Sequence, residues 1–261
     1  MIAVASWDAL QEQAVALVTG ASAEDLTVRV VGSTGIRLHC AEASATMDAL
    51  GRPAKDIDVV VRHGHRGRLR SWLEARGWIV DRDLLVAMEG ERFAFSHPDL
   101  GLCLDVFVEK LEFCHTIDLD GRWERHPTTI PIEDLLLQKL QVHDCKPSDV
   151  VDAAVVLATH DVVAGGGHDE VIDSAYVAGL LARDWGFHRD ATANLERVRR
   201  AVAPGGDIGL DAGGARRVEA GAATLTDAIE QTKKTMAWKM RARMGERMQW
   251  WHDVNEREAT Y

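Results

Sequence analysis

The hydrophobic pattern of the chain changes period near Pro127, and that change limits the folds it can adopt. Before it, short β-branched or aromatic runs alternate with segments of helical spacing. "LTVRVV" (26–31) and "IDVVV" (57–61) read as strands, and "WIVD", "RFAFSH" and "LCLDVFVEKLEF" as further extended segments, the last two separated by a turn at "HPDLG". Helices are expected over the first twenty residues (Leu10, Ala14, Leu17 and Val18, closed by Gly20), over "TGIRLHCAEASATMDAL" (ended by Gly51 and Pro53), and over "RGRLRSWLEARG" with a stop at Gly77. Beyond Pro127 only the helical period remains, in "PIEDLLLQKLQVH", "PSDVVDAAVVLATHD" and "DSAYVAGLLARDWG". Pro131 stands near N1, Ser148 is an expected N-cap, and Asp173 or Ser174 another. Residues 203–223, rich in glycine and alanine, read as a loop or linker, and a long amphipathic helix is expected from about Thr226 to Asn255. The expected class is α+β: a domain over residues 1–126 with a sheet flanked by helices, then an all-helical domain over residues 127–261. No fixed-period repeat is visible.

A chain of 261 residues can bury a sizeable core. Its 30 Lys and Arg against 41 Asp and Glu give a net charge of −11, which repels nucleic acid over most of the surface and suits a carboxylate-rich site. The longest apolar runs fall far short of a membrane span. The opening "MIAVASWDALQEQ" lacks the parts of a signal peptide. Cys40, Cys103, Cys114 and Cys145 are far apart with no C-x-x-C pair, so a reduced, cytoplasmic protein is expected.

Three features carry chemistry. Asp56 and Asp58 form a D-x-D at the start of a strand, where alternation directs both carboxylates to one side. Like charges so placed repel, and a divalent cation relieves them. Asp105 interrupts the apolar run "LCLDVFVE", where a carboxylate is costly unless paired or metal-bound. Gly32 and Ser33 end another strand just before a helix, a turn that frees backbone N–H groups and a hydroxyl for a phosphate.

With these residues in view, the sequence resembles the nucleotidyltransferase superfamily, in its minimal and AbiEii-like branches. "VVGSTGIRLH", "RPAKDIDVVV" and "CLDVFVE" match the family's h-G-[GS], D-h-D and third-acid segments, and "IPIEDLLLQKLQVHDCKPSDVVDAAVVL" its helical segment. The likeness covers roughly residues 26–160. Ala54 stands where a hydroxyl residue is usual, and Ser148 where Arg or Lys often precedes the acid. The resemblance implies a nucleotidyltransferase-type mixed sheet and transfer of a nucleoside monophosphate from an NTP to a hydroxyl, releasing pyrophosphate. Asp56 and Asp58 would hold two Mg²⁺ (or Mn²⁺) ions, with Asp105 binding the catalytic one and helping to deprotonate the acceptor. Gly32 and Ser33 would hold the β- and γ-phosphates. Lys139 would contact the NTP phosphates, Asp149 would be the acid of a second motif, and Asp152 its helix neighbour.

Read on the residues alone, Lys139 is a surface lysine with a snorkelling stem, and Asp149 serves equally as a first-turn helix acid. His63 and His65 in "RHGHRGR" read as a solvated basic loop. In the C-terminal helix, Leu225, Ile229, Met236, Met240, Met244, Met248 and Trp251 form a stripe expected to be core or a partner face. Lys233, Lys234, Lys239, Arg241, Arg243 and Arg247 line its other side, a solvated face or an RNA-binding stripe. The favoured acceptor is a small molecule. The alternatives are an AbiEii-like toxin that modifies tRNA or a protein and has a cognate antitoxin, and an inactive nucleotide-binding module.

Overall fold

A computed structural model describes residues 6–49, 56–165 and 171–253. Its architecture is α+β, a mixed five-stranded sheet with helices around it. Two compact units divide the chain: Met1–Leu111 with Asp118–Leu135, and Glu112–Ile117 with Leu136–Tyr261.

In the first unit the order is α1 (Trp7–Ser22), β1 (Val28–Val31), α2 (Gly32–His39), α3 (Ser44–Ala49), β2 (Ile57–Val61), α4 (Arg66–Glu74), β3 (Ile79–Val80), α5 (Arg82–Ala87), β4 (Arg92–His97) and β5 (Leu102–Val108). The sheet runs β1-β2-β5-β4-β3; β2 and β5 are parallel and the other neighbours antiparallel. Alternation sorts its faces. Val28 and Val30, Ile57 and Val59, Phe93 and Phe95, and Leu104 and Val106 join one core with Leu10, Ala14 and Leu17 of α1 and Leu69 and Leu73 of α4. The residues between them face the other way. The outer edge of β1 is covered: Val30 N donates to Thr128 O at 2.8 Å and Ile130 N to Val30 O at 3.2 Å, which removes an exposed strand edge.

Several local readings change. Gly20 lies inside α1, where a Cβ would come within 3.0 Å of the Trp72 ring, so it serves helix contact rather than termination. The single helix expected after Ser33 breaks at Cys40 into α2, a 3₁₀ turn and α3; Gly51, Pro53 and Ala54 lie outside the described residues. Helix α5 was not anticipated. Asp81 caps it by accepting from Leu84 N at 3.0 Å. The strand expected to continue from β5 turns at Glu109, whose φ of 65° leads into β6 (Lys110–Glu112), paired with β7 (Thr116–Asp118).

Helix α6 (Ile132–Leu140) crosses the division of the chain. The second unit then holds α7 (Pro147–Thr159), β8 (Asp161–Val163), β9 (Val171–Asp173), α8 (Ser174–Leu181), α9 (Trp185–Val202), α10 (Ala212–Gln231) and α11 (Met236–Met244). It is not all-helical, because β8 and β9 pair in parallel. Pro147 takes N1 of α7 behind Lys146 as N-cap, so Ser148 is not the cap. Asp173 is a cap, accepting from Ala175 N and Tyr176 N.

The expected linker over 203–223 is largely α10, a helix of 20 residues. Asp211 caps it, and Val218, Ala222, Leu225 and Ile229 bury one helical stripe. Its small residues permit close approach: a Cβ on Gly221 would lie 3.0 Å from Val162. The long final helix is absent. Helix α10 stops at Gln231 and α11 spans nine residues before Gly245 turns the chain at a φ of 58°. Among the described residues no helix is long and apolar enough to cross a membrane.

Candidate functional site

Strand register assembles the site in the first unit. Asp58 on β2 stands opposite Asp105 on parallel β5, and Val31 opposite Asp58 on antiparallel β1. Register partners share a sheet face, so the two carboxylates project together from the face away from the α1 and α4 core. Neither is deeply buried. Asp56 precedes β2 and is exposed, its carbonyl accepting from the Thr34 hydroxyl at 3.4 Å.

Gly32 follows β1 directly and adopts a φ of 67°. A Cβ built there would fall 2.3 Å from Asp58 Oδ2. Only a residue without a side chain lets the α2 N-terminus come this close to the carboxylate. Ser33 is the next residue of α2 and half-buried. The structure thus brings Gly32, Ser33, Asp58 and Asp105 to one end of the sheet, with Asp56 two residues before Asp58.

Arg92 was not anticipated. Its guanidinium donates to Asp105 Oδ2 at 2.6 Å and lies over the Phe107 ring, 5.0 Å from the centroid. A sequence signal existed: Phe93 and Phe95 alternate with Arg92 and Ala94, which turns Arg92 to the face that carries Asp105. Arg29 shares this face one row away. It donates to Trp123 O at 3.0 Å and Val28 O at 2.8 Å, and burial lowers its pKa, opposed by Glu124. Glu109, the next acid along, accepts from His63 N at 2.6 Å. His65 Nδ1 accepts from Thr27 N at 2.9 Å, so this histidine pair serves local structure.

Among the described residues no group of three or more His, Cys, Asp or Glu side chains is arranged to hold a metal ion. Two surface depressions, one bounded by Arg68, Ser71 and Trp72 and one by Val15, Thr19 and Leu38, contain none of the three acids.

Lys139 and Asp149 belong to the second unit. Lys139 is not a snorkelling surface residue. It is buried, and its ammonium lies 3.0 Å from Asp152 and 3.2 Å from Asp149. Asp149 is also N3 of α7, its carboxylate accepting from Lys146 N at 3.4 Å. Asp152 is fully buried, so the triad is an internal ion pair whose loss would strand a charge.

A second polar cluster in this unit was missed from sequence. Asp190 of α9 accepts from His115 Nε2 at 2.8 Å, from His143 Nδ1 at 3.0 Å and from Trp250 Nε1 at 3.1 Å. Burial alone would raise its pKa, but these bonds prevail and hold the carboxyl below its usual range. The participants are 75, 47 and 60 residues from Asp190, a separation that periodicity does not reveal.

No protein-family model matches the chain, and no curated protein matches it.

Proposed function

We propose that the protein is a metal-dependent nucleotidyltransferase that moves a nucleoside monophosphate from an NTP to a hydroxyl of a small acceptor. The observation that carries this reading is the Gly32 cradle against Asp58, with Asp105 beside Asp58 in register. A glycine-led helix start next to paired carboxylates suits a polyphosphate escorted by a cation. The mixed sheet, with these acids on the face away from the α1 and α4 core, is the kind of scaffold that the nucleotidyltransferase resemblance implies.

The residues fit Mg²⁺ in a particular way. That ion is commonly held by one or two carboxylates together with substrate phosphates and water, so a preformed three-acid cage is not required. Asp58 and Asp105, with Asp56, would be its protein ligands. When bound it would neutralise the charge growing on the phosphoryl oxygens.

The chain's own groups supply the rest. Gly32 and Ser33 bind the β- and γ-phosphates through backbone N–H and hydroxyl. Asp105, beside the Arg92 guanidinium, accepts the proton of the acceptor hydroxyl. The acceptor oxygen bonds to the α-phosphorus, the bond from that phosphorus to the bridging oxygen breaks, and pyrophosphate leaves. This reading rests on the first unit alone, since Lys139 already has two carboxylate partners in the second.

A small acceptor is favoured over a polynucleotide. The basic residues that would bind RNA are not one helix face: Arg241 donates to Gly245 O and Met248 O, and Lys234 to Ile229 O and Thr232 O. The decisive experiment incubates the protein with each α-labelled NTP, Mg²⁺ and a small-molecule fraction, then an RNA fraction. Label appearing in the small molecules with release of pyrophosphate supports the reading. Label in neither fraction, with no pyrophosphate, defeats it.

A further inference from the structure

Helix α11 is fixed on one side and open on the other. Its inner side is held within the second unit: Trp238 meets the His188 ring edge-on at 5.2 Å, and Arg241 lies over the Trp185 ring at 4.7 Å. Thr235 N donates to Ala182 O at 3.0 Å, and just beyond the helix Glu246 pairs with Arg189 at 2.9 Å. Met236, Met240 and Met244 recur at four-residue spacing on the outer side, with Met248 following, and they are 71%, 63%, 40% and 56% exposed. A row of large apolar side chains turned to water on an anchored helix is the mark of an interaction surface.

The charges beside that row indicate what it meets. Residues 232–253 contain six basic and two acidic residues in a chain whose net charge is −11. Lys234 and Arg241 are bound to carbonyls inside the unit. Lys239 and Arg243 are exposed, have no ion-pair partner among the described residues, and flank the methionine row one position before Met240 and Met244. An apolar row with a basic row along one side complements a helix of the opposite pattern, apolar with an acidic flank. Methionine, unbranched and polarizable, adapts to such a partner better than a stiffer side chain.

We infer that the outer face of α11 docks an acidic amphipathic helix of a partner protein. Single-stranded RNA fits less well, because it needs aromatic stacking platforms and Trp238 is turned inward. An anionic membrane surface is met by longer helices with Trp, Phe or Leu on the apolar side, whereas α11 has nine residues and methionine there.

The test is a titration of the whole chain with a fluorescein-labelled synthetic helix of Glu and Leu, leucines at i and i+4, about 18 residues long to span the row. Saturable binding is expected, weakened about tenfold by Met240→Glu with Met244→Glu and similarly by Lys239→Glu with Arg243→Glu. A scrambled peptide of the same composition should not bind. The substituted side chains are exposed, so circular dichroism should be unchanged. Should either variant misfold, the methionine methyl signals of the unaltered protein decide, because they must shift on adding peptide. Absence of peptide binding overturns the inference, as does binding that the substitutions leave intact. Preference for poly(U) RNA or phosphatidylserine vesicles over the peptide, or a dimer that Met240→Glu dissolves, assigns the face to another occupant and also overturns it.

Discussion

Arg92 reaches Asp105 on a diagonal: its register partner across β4 and β5 is Phe107, yet its guanidinium donates to the Asp105 carboxylate at 2.6 Å. Both side chains are about four-fifths covered, at 21% and 22% exposure. The pair therefore neutralises one of two carboxylates standing side by side. Arg92→Gln should leave two anions facing each other and lower stability by about 1 kcal/mol. In a double-mutant cycle with Asp105→Asn, urea unfolding should recover most of that loss. Additive effects would show that the two side chains are not coupled.

Asp105→Asn keeps the shape and removes the charge that the proposed chemistry needs. Nucleotide transfer should fall roughly a hundredfold or more, a loss of several kcal/mol of transition-state stabilisation. The far-ultraviolet circular dichroism should match the parent. Near-native turnover would move the proton-accepting role elsewhere.

Gly32→Ala tests the cradle. The left-handed backbone alone costs a non-glycine residue about 1–2 kcal/mol, and the new methyl would collide with Asp58. Destabilisation at or above that size is expected by urea titration, together with loss of NTP binding. A substitution as mild as one on an exposed helix would mean that the close approach is absent in solution.

Nucleotide binding should require a divalent cation. Asp56 and Asp58 repel a bare triphosphate, and Mg²⁺ or Mn²⁺ reverses that repulsion. Calorimetric titration with ATP should give heat in Mg²⁺ and none in EDTA. Equal affinity in the two buffers would remove the metal from the reading.

His188 makes acid stability a test of the second unit. Burial first, then Lys234 and Arg189, lowers its pKa from 6.5 to about 4. Between those values the unfolded chain binds a proton that the folded chain refuses, so His188 erodes stability as pH falls from 6.5 towards 4. Above pH 6.5 it is neutral in both states and contributes nothing to the slope. His188→Gln should flatten the fall in melting temperature across that window relative to the parent protein. An unchanged slope would mean that His188 is solvated.

What the sequence disclosed follows from which forces act locally. Alternation in "IDVVV" and "LCLDVFV" fixed the face of each aspartate, because the period of a strand holds whatever its neighbours are. Which strands lie adjacent depends on the whole sheet, so the Asp58–Asp105 pairing became visible only with the register. The glycine- and alanine-rich stretch misled because its composition suggests a linker, whereas Val218, Ala222, Leu225 and Ile229 already spaced a helix behind Asp211. Lys139 reads as a surface residue from its amphipathic segment; its burial comes from Asp152, thirteen residues on, which no helical period could pair with it.

Asp190 gathers His115 from 75 residues before it and Trp250 from 60 residues after it. During synthesis, α9 emerges from the ribosome with its carboxylate lacking the last of these donors. A buried anion so placed resists docking, since desolvation goes uncompensated. The complete cluster around Asp190 consequently cannot assemble element by element as the chain leaves the exit tunnel. Its last donor joins only with the segment that carries Trp250.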